Sequence, residues 1–352
     1  MNKLSRFAIA TVGALVFSAV APICAAQQKT QLTGAGSTFV YPVMTRWIAS
    51  FQQLNPGVQI NYQSIGSGGG IEQLKHGLVD FGASDVALTD QQLAEMPALV
   101  QIPESAGPVC ITYNLPGLTK PLRLTADALA GIYLGTIKNW NDAAITSTNP
   151  GVNLPNSQIL VAHRADGSGT TGIFTSYLSE VSSEWKARVG TGISVRWPVG
   201  LGGKGSEGVT GIVKQSPGTI GYVELDYAEE NKLPTAEIRN QAGAFVAPSA
   251  ESATAAIAAF HSQLAKDVRL PIVNPPASAK SAYPITGLTF LLVPKDGNDA
   301  AKREITKKFI AYIVTSGQPL AGQLHYAQLP DSLIALDRSL LGQLEANGLA
   351  MK

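Results

Sequence analysis

The sequence predicts an α/β protein of two lobes, each a layer of mostly parallel strands flanked by helices. Three observations carry that expectation. Strand-like and helix-like stretches alternate along nearly the whole chain, which is the pattern of α/β layers. The 352 residues are too many for one small core and suit two lobes of ordinary domain size. Apolar residues make up 45% of the chain and charged residues only 14%, a balance that can bury a core and excludes a disordered chain.

Residues 1–26 read as an export signal that precedes the fold. Lys3 and Arg6 form a basic start, and residues 7–21 are an apolar run shorter than the roughly 20 residues a membrane span requires. Cys24-Ala25-Ala26 supplies small residues for cleavage after Ala26. A lipid anchor on Cys24 would call for a small residue before it, where Ile23 stands. No second long apolar run follows, so the expected product is exported and soluble, starting near Gln27. Its formal charge falls from +1 to −1 when Lys3 and Arg6 leave. That balance offers no electrostatic footing for nucleic acid or an anionic membrane surface. Cys110 is then without a partner, and its apolar surroundings PVCITYN read as those of a small buried hydrophobe.

Phe39, Val43, Trp47, Ile48, Phe51 and Leu54 recur at helical spacing, and VQINYQ (58–63) alternates like a strand. IEQLKHG (71–77) reads as a short helix stopped by Gly77, and VDFGASD (79–85) as a strand reaching an acidic turn. Thr89 followed by Gln92 has the form of a capping box for a helix over 90–96. Two strand-like stretches follow at 98–103 and 108–113, then a helix over 126–134. ILVAHR (159–164) is a strand, and 169–181 a helix with Ile173, Phe174, Tyr177 and Leu178 on one face. SVRW (194–197), a helix near 206–215 and the strand IGYVEL (220–225) continue the alternation. An alanine-rich helix is expected over 250–265, a strand at TFLLVPK (289–295) and helices to the end. The Pro- and Gly- or Ser-rich stretches 147–157 and 271–284 are the expected loops.

This order places four Gly/Ser/Thr-rich turns directly before helices: GAGST (34–38), GSGGG (66–70), DGSGT (166–170) and GLGGKGSEG (200–208). The first turn of a helix has unpaired N–H groups and a partial positive charge, and Gly lets an anion come close to the backbone. Any one such turn is ordinary capping; four in one α/β chain, one beside an arginine, suggest an anion site. Arg164 ends a strand, where ligands of open α/β sheets bind, and its planar fork suits a tetrahedral oxyanion. Asp166 would repel that anion unless it pairs with Arg164 and fixes its orientation; spacing alone also allows, and slightly favours, a surface Arg beside a turn Asp. Asp85 also ends a strand. A carboxylate is useful in an anion site only if the anion brings a proton, as phosphate does near neutral pH and sulfate does not. Whether Asp85 faces such a site or caps a turn does not follow from its spacing.

These same stretches carry a resemblance. LTGAGSTF (32–39), IGSGGG (65–70), VDFGASD (79–85), IYLGTIKNWND (132–142), RADGSGT (164–170), EWKARVGTG (184–192), WPVGLGGKGSEG (197–208), PGTIGYVE (217–224), YPITGLTF (283–290) and HYAQLPDS (325–332) run in order over nearly the whole mature chain. They resemble the periplasmic phosphate-binding proteins of high-affinity phosphate ABC transporters. The resemblance implies a two-lobed periplasmic binding protein of type II-like architecture, with two crossing segments near 107–112 and 283–288. Lobe one would be residues 27–107 plus 287–352, and lobe two residues 108–286, with the anion clamped between them. It implies phosphate contacts from Thr38, from the Phe39 backbone N–H, and from Ser67, Asp85, Arg164, Ser168, Gly169 and Thr170. Asp85 would accept the phosphate proton, and Asp166 would hold Arg164. Gly68 replaces a more usual second serine, Ser37 stands where small residues vary, and no direct contact is implied for the turn 200–208.

The implied function is capture of inorganic phosphate and its delivery to an inner-membrane permease, by a monomer with neither cofactor nor metal. The chain lacks the Walker pattern G-x-x-x-x-G-K-[ST], so ATP would be hydrolysed by the permease's ATPase subunits. Arsenate, protonated and similar in shape, remains an alternative ligand. A nucleotide enzyme is suggested only by Gly200, Gly202 and Gly205, a G-x-G-x-x-G match easily met by chance among 35 glycines. A secreted phosphatase would require a nucleophile with a base. Ser67 and Ser168 lie outside G-x-S-x-G, and His76, His163, His261 and His325 are scattered, so no enzymatic activity is expected.

Overall fold

The computed structural model describes residues 29–295 and 299–346; the expected export signal and its cleavage point lie outside the described residues. The chain opens with β1 (Thr30–Gly36), α1 (Tyr41–Leu54), β2 (Val58–Ser64), α2 (Ser67–Lys75), β3 (Phe81–Ser84), α3 (Asp90–Glu95) and β4 (Leu99–Tyr113). It continues through β5 (Arg123–Leu124), α4 (Ala126–Leu134), α5 (Ala143–Thr146), β6 (Leu160–Arg164), α6 (Gly169–Val181), α7 (Ser183–Arg188), β7 (Leu201–Gly203) and α8 (Gly205–Gln215). Next come β8 (Thr219–Glu224), α9 (Leu225–Glu230), β9 (Glu237–Arg239), β10 (Phe245–Val246), α10 (Ala250–Ala259) and α11 (His261–Leu264). β11 (Thr286–Pro294), α12 (Ala300–Ile313), α13 (Gln318–Gln323) and α14 (Asp331–Ala346) complete it.

Eight strands form one sheet in the order β2-β1-β3-β11-β4-β8-β6-β7, and β10-β9-β5 form a small second one. Both outer parts are parallel, as expected: β1 with β2 and β3, and β6 with β7 and β8. The middle is antiparallel, because β11 and β4 run between the halves. β4 pairs with β11 as far as Pro108 and with β8 from Val109 onward. At that switch the Val109 N–H donates to the Ile285 carbonyl at 2.8 Å, so the chain around residue 109 and the chain around residue 285 lie side by side. The ladder slips between Thr289 and Phe290, opposite Ser105 and Pro103, which leaves Glu104 as the extra residue of a bulge.

Each half has its own aromatic packing. The face of α1 bearing Val43, Met44, Trp47, Ile48 and Phe51 is buried, with Phe51 5.1 Å from Phe309 of α12. In the other half Phe174 of α6 stacks 4.5 Å from Tyr222 of β8, and Tyr133 of α4 packs edge-on at 4.7 Å from Phe174. Burial of one such ring is worth roughly 1.5–3 kcal/mol. Local signals set the helix ends: Thr125 caps α4 through the Ala128 N–H, Gly135 ends it in a left-handed turn, and Thr89 and Gln92 form the expected capping box.

Several elements depart from the sequence expectation. α2 starts at Ser67, four residues before 71, because its glycines let the helix begin against other backbone: a Cβ on Gly68 would meet Gly167, and one on Gly70 would strike Gly36. Stretches 98–103 and 108–113 are one strand; neither proline breaks it, since the ladder slips at one and changes partner at the other. SVRW is not a strand, and Trp197 instead stacks on His163. The expected helix over 250–265 breaks at Phe260. GAGST is largely the end of β1, a strand not foreseen, and the small second sheet was not foreseen either.

Asp337 of α14 is fully buried, and neither carboxylate oxygen has a hydrogen-bond partner. Burial pushes its pKa up to about 8. The folded chain therefore holds a proton that the unfolded chain releases in the ordinary carboxylate range, so stability falls as pH rises from that range to about 8. Asp337→Asn should raise the thermal midpoint by several degrees at pH 8 and by less at pH 5. Equal shifts at both pH values would contradict this account.

Candidate anion-binding site

The four glycine-rich turns meet at the seam between the two halves of the sheet. Thr38 lies just before α1, Ser67 is the first residue of α2, Gly169 and Thr170 open α6, and Ser206 is second in α8. Their contacts cross the seam. The Gly169 N–H donates to Ser67 Oγ at 3.1 Å, and Thr170 Oγ1 donates to Asp85 Oδ2 at 3.4 Å. The Thr38 and Ser206 hydroxyls are 2.9 Å apart, and the Ser206 N–H donates to Thr38 Oγ1 at 3.3 Å. The backbones touch as well, the Gly68 N–H donating to the Gly167 carbonyl at 2.9 Å. Gly66 caps α2 at φ +85°, where a side chain would be strained and would also run into Asp166 and the Gly167 carbonyl.

Asp85 follows β3 directly and is 3% exposed. Ser37 Oγ donates to its Oδ1, and Ser67 Oγ donates to Oδ2 at 3.5 Å alongside Thr170. Burial is the largest influence on it and raises its pKa to about 6, against the Ser37 hydrogen bond, the Arg164 charge and the Thr170 and Ser67 hydrogen bonds. At neutral pH it is an ionised acceptor inside a ring of donors.

Arg164 ends β6, and its side chain is almost wholly buried. Its Nε and one terminal nitrogen reach Asp166 Oδ1 and Oδ2 at 2.8 and 2.5 Å, a bidentate fork, and the other terminal nitrogen is 3.4 Å from Ser206 Oγ. Asp166 also accepts the Gly205 N–H at 3.0 Å, which ties the third turn to the fourth. Burial pushes the Asp166 carboxyl up, but the Arg164 pairing and that N–H together hold it below the usual range. Tyr222 Oη accepts the Arg164 N–H at 3.1 Å and anchors the strand end.

The structure thus brings together Thr38, Ser67, Asp85, Arg164, Gly169 and Thr170, with Asp166 beside Arg164 as expected. Ser168 caps α6 by accepting the Thr171 N–H at 3.1 Å, and its own N–H donates to Ile193. Phe39 is buried with its carbonyl 2.6 Å from Tyr326 Oη, its backbone lying between Thr38 and the start of α1. Two residues of the cluster had no role in the sequence reading. Ser37, taken as a variable small position, donates to Asp85; Ser206, in a turn read as anion-like but given no contact, joins Thr38 and Arg164. Nothing in local spacing reports contacts 48 and 168 residues apart.

A cavity of about 620 Å³ runs beside the site and shares Asp85 with it, but its walls are mostly apolar, among them Val86, Ile173, Ile193, Ile272 and Leu288. The donors are in the turns, and the turns are where a small anion would be held. Among the described residues no group of three or more His, Cys, Asp or Glu is placed to hold a metal. The His163 ring lies on Trp197 at 4.8 Å, its Nδ1 3.0 Å from its neighbour's carbonyl. A cation, a rigid partner for it, four helix beginnings and one buried acceptor are the groups that a compact oxyanion carrying a proton would need around it.

A family model for the PBP superfamily domain matches residues 24–316. The phosphate-binding protein PstS of Xylella fastidiosa is 48% identical over 315 residues, covering 89% of this chain and 85% of that protein. PstS of Pasteurella multocida is 44% identical over 325 residues, 91% and 92% of the two chains. The solved phosphate-binding protein from Stenotrophomonas maltophilia superposes with a TM-score of 0.68 over 88% of this chain and 94% of that one; at 19% identity it speaks for the fold. On sequence and architecture together, the chain belongs to the PBP superfamily and, within it, to the family of the PstS phosphate-binding proteins.

Proposed function

We propose that this protein captures inorganic phosphate between two lobes in the periplasm and delivers it to an inner-membrane permease driven by ATPase subunits. It acts as a monomer, without catalysis and without a cofactor. The observation that carries the reading is Asp85: an ionised, buried carboxylate set among donors from three helix beginnings and facing the charge of Arg164. Such an acceptor favours an anion that brings a proton and repels one that does not.

In this reading Thr38, the Phe39 N–H, Ser67, Ser168, the Gly169 N–H and Thr170 donate to phosphate oxygens. Arg164 supplies the positive charge, Asp166 holds it in place, and Asp85 accepts the phosphate proton. Lobe one comprises residues 27–107 and 287–352, and lobe two residues 108–286. The switch of β4 between partners at Pro108 and Val109, beside Ile285, supports a crossing there. Closure of the lobes excludes water and strengthens each charge-assisted contact. No described helix is long and apolar enough to cross a membrane.

Calorimetric titration of the mature chain tests this. Phosphate should bind at micromolar concentration or tighter, arsenate should compete, and sulfate should fail to compete at neutral pH. Sulfate binding as tight as phosphate, or release of phosphate from a chromogenic ester, would overturn the reading.

A further inference from the structure

Two tyrosine hydroxyls hold the backbone of the first turn. Tyr227 Oη lies 2.7 Å from the Thr38 carbonyl oxygen, and Tyr326 Oη lies 2.6 Å from that of Phe39. Each has a second partner: Glu207 Oε1 at 3.1 Å for Tyr227, and Glu224 Oε2 at 3.1 Å for Tyr326. Tyr227 belongs to α9 and Glu207 to α8, on the β8 side of the seam, while Thr38 lies on the β1 side. The Tyr227–Thr38 bond therefore exists only while the two sides are in contact. Tyr227 is buried, and burial together with the negative charge of Glu207 keeps its hydroxyl protonated.

A phenol has one hydrogen, and both neighbours of Tyr227 are acceptors. The shorter contact, to Thr38, takes it. Thr38 C=O and Phe39 N–H belong to one planar trans peptide, so they point in opposite directions, and pinning the oxygen aims the N–H. A donor on the oxygen also polarises the unit and makes its N–H a stronger donor. Glu207 is the remaining acceptor, ready to receive the hydrogen when Thr38 withdraws.

We propose that Tyr227 is a positioning residue for anion capture: its hydroxyl turns from Glu207 to the Thr38 carbonyl when the two sides meet, and so fixes the Phe39 N–H toward the anion. This rests on the phosphate reading of the site. Tyr326 reaches across the seam to Glu224, while its contact with the Phe39 carbonyl holds the next peptide, whose Val40 N–H is occupied by Ser37 Oγ at 3.2 Å. Tyr326 therefore helps hold the two sides together without aiming a donor at the anion.

Tyr227→Phe removes the hydroxyl and little else. Phosphate affinity should fall about tenfold, almost entirely through faster release, with the preference over sulfate and the ligand-free melting point unchanged. The upshift in melting point that phosphate causes should shrink, a readout that a purely structural tyrosine would not alter. Tyr326→Phe should cost less affinity than Tyr227→Phe. Glu207→Gln, which leaves a weaker rival acceptor, should slow release two- to fivefold, and it reads the proposal even if the tyrosine variant folds poorly. Wild-type release from Tyr227→Phe, an equal loss in both tyrosine variants, or faster release from Glu207→Gln would overturn it. If the wild-type chain fails to bind phosphate at all, the reading of the site fails instead.

Discussion

Arg164→Ala should weaken phosphate binding by at least tenfold and on the order of a hundredfold. The guanidinium is buried, and charge-assisted hydrogen bonds of this kind are worth about 1.5–3 kcal/mol each. The loss is larger than the contact itself, because Asp166 stays behind. It now accepts a bidentate fork and the Gly205 N–H, and without Arg164 it becomes a half-buried carboxylate beside the expected anion. Removing one member of a buried pair commonly costs about 3–5 kcal/mol; at 1.4 kcal/mol per tenfold, the hundredfold expectation is at the low end. The double variant Arg164→Ala, Asp166→Ala should bind phosphate better than Arg164→Ala alone, since the stranded charge is gone. Calorimetry reads both. Unchanged affinity in the single variant would remove Arg164 from the site.

Asp85→Asn should narrow the preference for phosphate over sulfate by roughly a hundredfold, since a desolvated like-charge contact costs several kcal/mol and the amide abolishes it. Most of that change should be a gain in sulfate binding, because an amide can donate where a carboxylate repels. The wild-type chain should show the same trend with pH. Asp85 has a pKa raised to about 6, so it is an ionised acceptor above that pH and a protonated donor below it. Sulfate should therefore compete better as pH falls through about 6, and competition at pH 5 should exceed that at pH 8. Discrimination that is flat with pH, or undiminished in Asp85→Asn, would mean that this carboxylate does not select the anion.

Much of the architecture was legible because its causes are local. The helices expected over 126–134 and 169–181 form over those residues as α4 and α6, the latter with Ile173, Phe174, Tyr177 and Leu178 buried as its apolar spacing requires. The seam was not legible in the same way. The 15-residue β4 reads as two strands because prolines interrupt its pattern, and only its two different partners explain why it continues. The start of α2 does not follow from the sequence because three glycines weaken a helix locally, while Gly167 and Gly36 demand two of them, Gly68 and Gly70, from far away in the chain.

The candidate site divides along the same line. Residue types alone established four helix beginnings rich in small donors, one arginine beside one aspartate, and a carboxylate at a strand end; family motifs then nominated the individual contacts. Only the tertiary structure decided that those beginnings meet, that Asp85 is enclosed by Ser37, Ser67 and Thr170, and that Ser206 and Tyr227 reach the first turn. The physical reason is range. Capping, periodicity and turn chemistry act over a few residues and are written in order along the chain, whereas enclosure of a charge depends on which distant backbones can approach without side chains between them.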